Sequence, residues 1–187
     1  EFPFAVLHTS SHHGNRWLKV RVADQQKLPS VPQTEQSDTN PLSSERETAE
    51  WVINLGGNVS FKKAHGTESH KNRLDQLPED PFRILDIDFS RSKQKITLPS
   101  LSRLSRLVTL HSLSLMNCSL EPRALEGLRF NENTTEFNIY STPLRTSDLN
   151  PDMGLEHLDT FILGAAQVDD DFRFLELMPR LRELHLY

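Results

Sequence analysis

The residues best suited to nucleophilic chemistry in this sequence are its single cysteine, Cys118, and the nearby His111. A thiolate beside an imidazole is the arrangement that cysteine hydrolases use. Free cysteine is, however, among the most buried residue types, and His111 follows Leu110 of an apolar pattern, which would turn the imidazole outward. We therefore expect a buried, inert Cys118, no catalytic residues and no enzyme activity. A small hydrolase using Cys118 or the histidines is the disfavoured alternative.

Three histidines near the start of the chain, His8, His12 and His13, have side chains that commonly bind metals. Their spacing matches no strong ligand pattern, and they stand beside Gly14 in a polar stretch. A single cysteine also excludes an internal disulfide and a cysteine-cluster metal site. We expect neither a metal nor a cofactor.

Two groups of charged residues are further candidates. The net charge of −5 argues against a nucleic-acid binder, which usually carries a basic surface. We interpret the basic group as solvated surface, and the acidic residues as helix starts or surface charges rather than paired catalytic acids. The basic group is Arg91, Lys93, Lys95, Arg103 and Arg106, and the acidic residues are Glu121, Glu126, Asp169, Asp170 and Asp171.

An internal repeat is the strongest pattern in the sequence. The stretch from Leu110 to Leu120 reads L-x-x-L-x-L-x-x-C-x-L, which fits the leucine-rich-repeat consensus at every required position. The same frame begins again at Ile84, Leu158 and Leu181, and at Thr134, where threonine replaces leucine. Successive frames are 23 to 26 residues apart, which lies within the usual range for this repeat.

Each frame predicts a short strand followed by a turn and a covering segment. The L-x-L pair points inward, and no repeat buries its own apolar face, so the repeats stack. We expect an α/β leucine-rich-repeat solenoid over residues 84–187, about five repeats with the last incomplete, with a curved parallel sheet and a helical or irregular convex side. The covering segments are Leu98–Leu107, Glu121–Leu128, Arg145–Met153 and Asp169–Met178, the last being the best helix candidate because three aspartates begin it.

The residues before the repeats divide into three parts. Residues 1–22 contain one alternating strand, Trp17–Val22, read as the end of an upstream region or an isolated strand. Residues 23–44 are rich in proline and glutamine and predict a disordered linker. Residues 45–83 predict an N-terminal cap and loop: Ser44 and Glu47 form a capping box, and Gly56-Gly57 ends the helix. Asn58–Phe61 follows as a short strand, and Lys62–Pro81 as a loop.

These repeats resemble those of bacterial leucine-rich-repeat proteins, which read L-x-x-L-x-x-L-x-L-x-x-T-x-V-T-D-A-G-L; Leu155–Val168 and the aspartates after it match best. The stretch Glu47–Val59, followed by Leu77–Arg83, is similar to the N-terminal cap that precedes such repeats. In some large bacterial proteins this cap and array are attached to a serine/threonine protein kinase. The resemblance implies a binding or sensing module, while the chain itself shows no glycine-rich loop, H-R-D or D-F-G motif.

The concave side of the predicted sheet is the expected binding surface, because the residues beside each inward pair point to solvent there. They form three rows: Asp86, Ser112, Glu136, Thr160 and Glu183; then Asp88, Ser114, Asn138, Ile162 and His185; then Ser90, Met116, Tyr140, Gly164 and Tyr187. The candidate binding residues are Asp86, Asp88, Met116, Glu136, Asn138, Tyr140, Ile162, Glu183, His185 and Tyr187. A solvated sheet without a ligand is the alternative.

The expected function is therefore non-enzymatic binding of a protein or peptide, with a sensor or regulatory region of a larger signalling protein, such as a kinase, as the alternative. No stretch reaches the roughly 18 apolar residues of a membrane-spanning helix. We expect a soluble part of a larger bacterial protein, without nucleic-acid binding or membrane insertion. The array ends after Leu184 and Leu186 without a covering segment, which predicts further repeats or self-association through that edge.

Overall fold

The computed structural model describes residues 4–12, 15–22, 41–63, 66–92, 96, 101–121, 123–164, 167–169 and 172–187. Within these ranges the chain is α/β, as predicted, with one α-helix and two sheets. The elements are β1 (Phe4–His12), β2 (Asn15–Val22), α1 (Pro41–Asn54), β3 (Asn58–Lys63), β4 (Gly66–Lys71), β5 (Arg83–Asp88), β6 (Ser112–Ser114), β7 (Glu136–Asn138), β8 (Thr160–Leu163) and β9 (Glu183–Leu186).

The larger sheet has seven strands in the order β4-β3-β5-β6-β7-β8-β9. Strands β5 to β9 run parallel and follow chain order, whereas β3 is antiparallel to both β4 and β5. The register between parallel strands is constant: Ile87 pairs with Leu113, Leu113 with Phe137, and Phe137 with Phe161. The predicted frames are thus aligned strand by strand.

The core lies on one side of this sheet. In strands β5 to β9, the first residue of the inward-pointing pair is at most 1% exposed, so these five side chains form a continuous apolar row. Aromatic rings extend the row, because Phe137 and Phe161 stack with their centroids 5.8 Å apart. The residues in the row are Ile87, Leu113, Phe137, Phe161 and Leu184.

Thr134 fits the core although the consensus expects leucine there. It is fully buried, and its hydroxyl donates a hydrogen bond of 2.9 Å to the carbonyl oxygen of Leu110, one frame earlier. Burial of a hydroxyl is tolerated when it is hydrogen-bonded. The other four frame-start residues, Ile84, Leu110, Leu158 and Leu181, are also buried.

The segments on the other side of the core are short 3-10 helices. The helix candidate Asp169–Met178 contains a 3-10 helix at Arg173–Leu177, and residues 170–171 lie outside the described residues. A 3-10 helix rises about 2.0 Å per residue, so it returns the chain across the core with fewer residues than an α-helix. The others are Ser102–Arg106, Ala124–Gly127, Thr146–Asp148, Pro151–Met153 and Leu155–His157.

Three expectations for the first part of the chain need correction. Residues 1–22 do not hold an isolated strand, because β1 and β2 pair as an antiparallel hairpin. The helix begins at Pro41 rather than after Ser44, since proline at the first helical position sacrifices no intrahelical hydrogen bond. Part of the loop expected in Lys62–Pro81 is β4, which pairs with β3. The linker expected at 23–44 lies outside the described residues, apart from 41–44.

Helix α1 covers the first end of the core. Ala49 and Val52 are fully buried against it. The buried carboxylate of Glu45 accepts a hydrogen bond of 2.7 Å from the backbone N–H of Ile84. It also forms an ion pair with Arg83 at 3.3 Å. Desolvation of this carboxylate raises the pKa of Glu45. These bonds join the helix to β5.

At the other end of the sheet, β2 of the hairpin contacts β9. Self-association through the edge of β9 stays a prediction. Among the described residues, no helix is both long and apolar enough to cross a membrane.

Candidate binding face

The side of the sheet opposite the core carries the three predicted rows, and we call it the row face. Strand register joins Asp86 to Ser112, Ser112 to Glu136, and so on to Glu183 in the first row. The second row, from Asp88 to His185, follows the same register. The third row lies just beyond the strands. Every residue in the three rows is half-buried except Gly164, which is buried.

Carboxylates and hydroxyls alternate along the first row. Asp86, Glu136 and Glu183 occupy every second strand, with Ser112 and Thr160 between them. Within the described part of the chain, no cation lies at ion-pair distance from Asp86 or Glu136. The first row therefore carries a carboxylate on every second strand, and that of Glu183 lies 3.3 Å from His185.

The second row is partly committed to the fold. Asp88 accepts a hydrogen bond of 2.8 Å from the backbone N–H of Ser90, and Asn138 accepts one of 2.9 Å from that of Tyr140. Aspartate and asparagine commonly bond their own backbone two residues on, which fixes a turn. The side chains of Asp88 and Asn138 thus shape the exit from each strand. At the other end, His185 lies 3.3 Å from Glu183.

The third row holds an aromatic pair. The rings of Tyr140 and Tyr187 contact each other with centroids 4.8 Å apart and planes at 48°. Gly164 follows the strand between them, and a Cβ there would stand 3.7 Å from Cδ2 of Tyr140. Burial, and to a lesser degree Tyr140, raises the pKa of Tyr187. The hydroxyl of Tyr187 therefore stays neutral at physiological pH, and the pair offers flat apolar surface with polar tips.

Gln167 supports this part of the face, although no pattern in the sequence singles it out. Its side-chain oxygen accepts a hydrogen bond of 2.7 Å from the N–H of Gly164. Its amide nitrogen donates to the carbonyl oxygens of Ile139 and Leu144, each at 2.9 Å. One buried side chain thus joins two successive repeats below the aromatic pair.

Cys118 and His111 do not form a reactive pair. The thiol is buried and donates a hydrogen bond of 3.4 Å to the carbonyl oxygen of Phe89. Burial, with a smaller effect of Asp88, raises the pKa of Cys118 to about 12. The exposed imidazole of His111 is bonded to the carbonyl oxygen of Thr109 at 2.8 Å. Since nucleophilic attack needs an accessible thiolate, Cys118 is unsuited to it.

The basic candidates that the structure describes are exposed. Arg103 lies over the ring of Trp51 at 5.4 Å, and Arg91 and Arg106 are exposed as well. Lys93, Lys95, Asp170, Asp171 and His13 lie outside the described residues, as do the side chains of His8 and His12. Across the residues that are described, no group of three His, Cys, Asp or Glu side chains could hold a metal ion.

Two of the acidic residues expected at helix starts or on the surface have defined partners. Asp169 bonds the preceding covering segment: its carboxylate pairs with Arg145 at 2.8 Å and accepts from the N–H of Ser147 at 2.8 Å. Glu126 pairs with Arg123 on the surface. Among the described residues, each of these two carboxylates thus pairs with an arginine.

Comparison of the sequence with models of protein families finds no match, and comparison with characterised proteins finds no significant one. The repeat residues and the row face therefore carry the functional argument.

Proposed function

We propose that this chain is a leucine-rich-repeat module, similar to those of bacterial proteins, that binds a protein or peptide on the row face and catalyses no reaction. Support comes from the repeat itself. Frames 23 to 26 residues apart form parallel strands in chain order with constant register, and short covering segments lie on the other side of the core. A leucine-rich-repeat solenoid is built in this way, and the row face is then its concave surface.

The aromatic pair is the observation that carries the binding function. Tyr140 and Tyr187 are half-buried, and they lie on the side of the sheet away from the core. Met116 occupies the same row, and Ile162 the row beside it. Tyrosine is enriched among the residues that dominate binding energy at protein interfaces, and a contiguous apolar surface framed by polar groups marks an interaction site.

The proposal that the chain is not an enzyme rests on the state of its strongest nucleophile. Cys118 is 3% exposed, and its pKa of about 12 keeps the thiol protonated at physiological pH. This state of Cys118 supports a binding role rather than a catalytic one. The same surface would serve a sensor region of a larger signalling protein.

Selection of peptides from a displayed random library on the full chain tests the function. We expect peptides whose affinity falls at least about tenfold with Tyr140→Ala, since hot-spot residues contribute about 2 kcal/mol or more. Phe172→Ala is the matched control, because Phe172 is an exposed aromatic residue of the covering side. Selected peptides that tolerate Tyr140→Ala, or that depend equally on Phe172, would contradict the proposed site.

A further inference from the structure

The hairpin β1–β2 lies beside the last strand of the large sheet, because β2 contacts β9. Among the described residues, no strand pairs with the outer edge of β9. Its core residue Leu184 is nevertheless only 1% exposed. A repeat array needs a cover over its terminal core layer. The hairpin therefore stands at the end of the sheet where such a cover is needed.

The three residues that β9 contributes to the row face already have partners within the protein. Glu183 lies 3.3 Å from His185, and the ring of Tyr187 contacts that of Tyr140. All three β9 residues also take part in further polar or aromatic interactions within the protein. Each of them is half-buried. The β9 end of the row face is thus an occupied surface rather than an open one.

The hairpin and the row face carry opposite charge. Residues 4–22 include Arg16, Lys19 and Arg21, and neither aspartate nor glutamate. The three rows contain four carboxylates, one of them on β9, and neither lysine nor arginine. Electrostatic complementarity at interfaces selects partners of opposite sign and repels those of like sign. The hairpin therefore has the charge that a ligand of the row face needs.

The chain is long enough for the hairpin to reach β9 within one molecule. Helix α1 packs beside β5 at the opposite end of the parallel strands, and the 18 residues 23–40 connect the hairpin to it. An extended segment of this length spans up to about 60 Å, whereas the four strand spacings from β5 to β9 amount to about 19 Å. A free ligand of the same surface must then compete with an occupant that is tethered to it.

We propose that the hairpin β1–β2 is an autoinhibitory contact that occupies the β9 end of the row face, so that a ligand of this face must displace it. The regulation rests on the proposed function, whereas the contact between the hairpin and β9 does not. When only a fraction of the molecules has an open site, the apparent affinity is reduced by that fraction. The hairpin thus lowers the affinity of the row face and favours ligands that compete well for β9.

Reversal of charge in the hairpin tests the contact in the full chain. The hairpin variant, Lys19→Glu, Arg21→Glu, gives β2 the same sign of charge as the row face. The matched control, Arg91→Glu, Arg106→Glu, changes the net charge equally at two exposed arginines outside the hairpin and the rows. We expect hydrogen exchange of β9, relative to β6, to be at least about fivefold faster in the hairpin variant and unchanged in the control. Equal relative exchange in both variants would overturn the contact.

Salt gives a second measurement on the unaltered chain, which does not depend on how the variants fold. Screening weakens attraction between exposed charges. Exchange of β9 relative to β6 should therefore rise with salt in the parent chain. A ratio that stays constant with salt would contradict a contact held by opposite charges.

A library-selected peptide that depends on Tyr140 tests the regulation. We expect it to bind the hairpin variant at least about fivefold more tightly than the parent chain, which is the lower end of usual coupling between sites, and to bind the control variant as it binds the parent. Equal affinity for hairpin variant and parent, with faster exchange of β9 in the variant, would leave the contact in place and overturn its regulatory role. Absence of any peptide that depends on Tyr140 would remove the proposed function and the regulation with it, while exchange of β9 still decides the contact.

Discussion

The rings of Tyr140 and Tyr187 contact each other although their strands are not neighbours. Strand β8 runs between β7 and β9, and at the level of the two tyrosines it is followed by Gly164. A Cβ at Gly164 would stand 3.7 Å from Cδ2 of Tyr140, so the small residue leaves room for this ring beside β8.

Substitution of Gly164 by alanine tests this relationship. The added Cβ would stand 3.0 Å from Oε1 of Gln167 and 3.7 Å from Cδ2 of Tyr140. Since 3.7 Å is an ordinary contact distance, the tight contact is the one with Gln167, whose hydrogen bonds must shift. We expect a destabilisation of about 1–3 kcal/mol, as is usual for overpacking. Urea unfolding measures it, and unchanged stability would show that the space at Gly164 is not needed.

The repeat frame makes a second prediction, at Leu113. This side chain is fully buried in the centre of the sheet, so Leu113→Ala should lower the free energy of unfolding by about 2–5 kcal/mol. Val108→Ala is the control, since Val108 is 55% exposed and should change stability by no more than about 0.5 kcal/mol. Urea denaturation of both variants measures the two changes in the free energy of unfolding. Similar midpoints for the two would mean that the frame assigns the wrong core residues.

The strand register was predictable from the sequence because consecutive frames repeat the same inward positions. Ile87, Leu113 and Phe137 could be aligned from spacing alone, and the rows on the other face follow from alternation in a strand. Contact between Tyr140 and Tyr187 could not be derived in this way, because it depends on how the two rings orient beyond the ends of their strands.

Other features of the structure could not be predicted from the sequence, and the physical reasons differ. The stretch from Thr9 to His12 does not alternate between apolar and polar residues, yet it completes β1, since backbone hydrogen bonds to β2 hold it. The covering segment at Arg173–Leu177 shows a helical charge pattern, and tertiary packing selects the 3-10 form. Gln167 follows the consensus turn position by one residue, so its network had no frame-based signal.

Gln167 gives a third prediction. Replacement by leucine would leave the N–H of Gly164 and the carbonyl oxygens of Ile139 and Leu144 without this partner. An unsatisfied buried polar group costs about 1–3 kcal/mol, so Gln167→Leu should destabilise the chain by at least about 2 kcal/mol. The exposed Gln76 offers the same substitution at a solvated site, where we expect a change below about 0.5 kcal/mol. Equal unfolding midpoints for the two leucine variants would contradict the role of this network.

Cys118 provides a fourth prediction, on reactivity. Because the folded thiol is buried and its pKa is about 12, an aromatic disulfide reagent at pH 8 should label the native chain far more slowly than the chain in denaturant. Absorbance of the released thiolate follows the reaction. Labelling of the native chain as fast as that of the unfolded chain would show an accessible thiol and reopen the hydrolase alternative.

Asp169 predicts how stability responds to acid. Hydrogen bonds from Ser147 and the pairing with Arg145 lower the pKa of Asp169 from 3.8 to about 2. A carboxyl whose pKa is lower in the folded state binds protons more readily when unfolded. Its contribution to stability is therefore complete above about pH 4 and is lost as the pH falls from 3.8 towards 2.

The variant Asp169→Asn should remove that part of the pH dependence. Its stability should be lower than that of the parent chain at pH 6, and the difference should shrink progressively below pH 4, because the protonated aspartate also lacks the charge that Arg145 pairs with. Asp152→Asn, at an exposed position of the preceding covering segment, should keep the parent's pH profile. Thermal unfolding from pH 2 to pH 6 measures all three chains. A constant difference between Asp169→Asn and the parent across this range would mean that the bonds to Ser147 and Arg145 do not depend on the charge of Asp169.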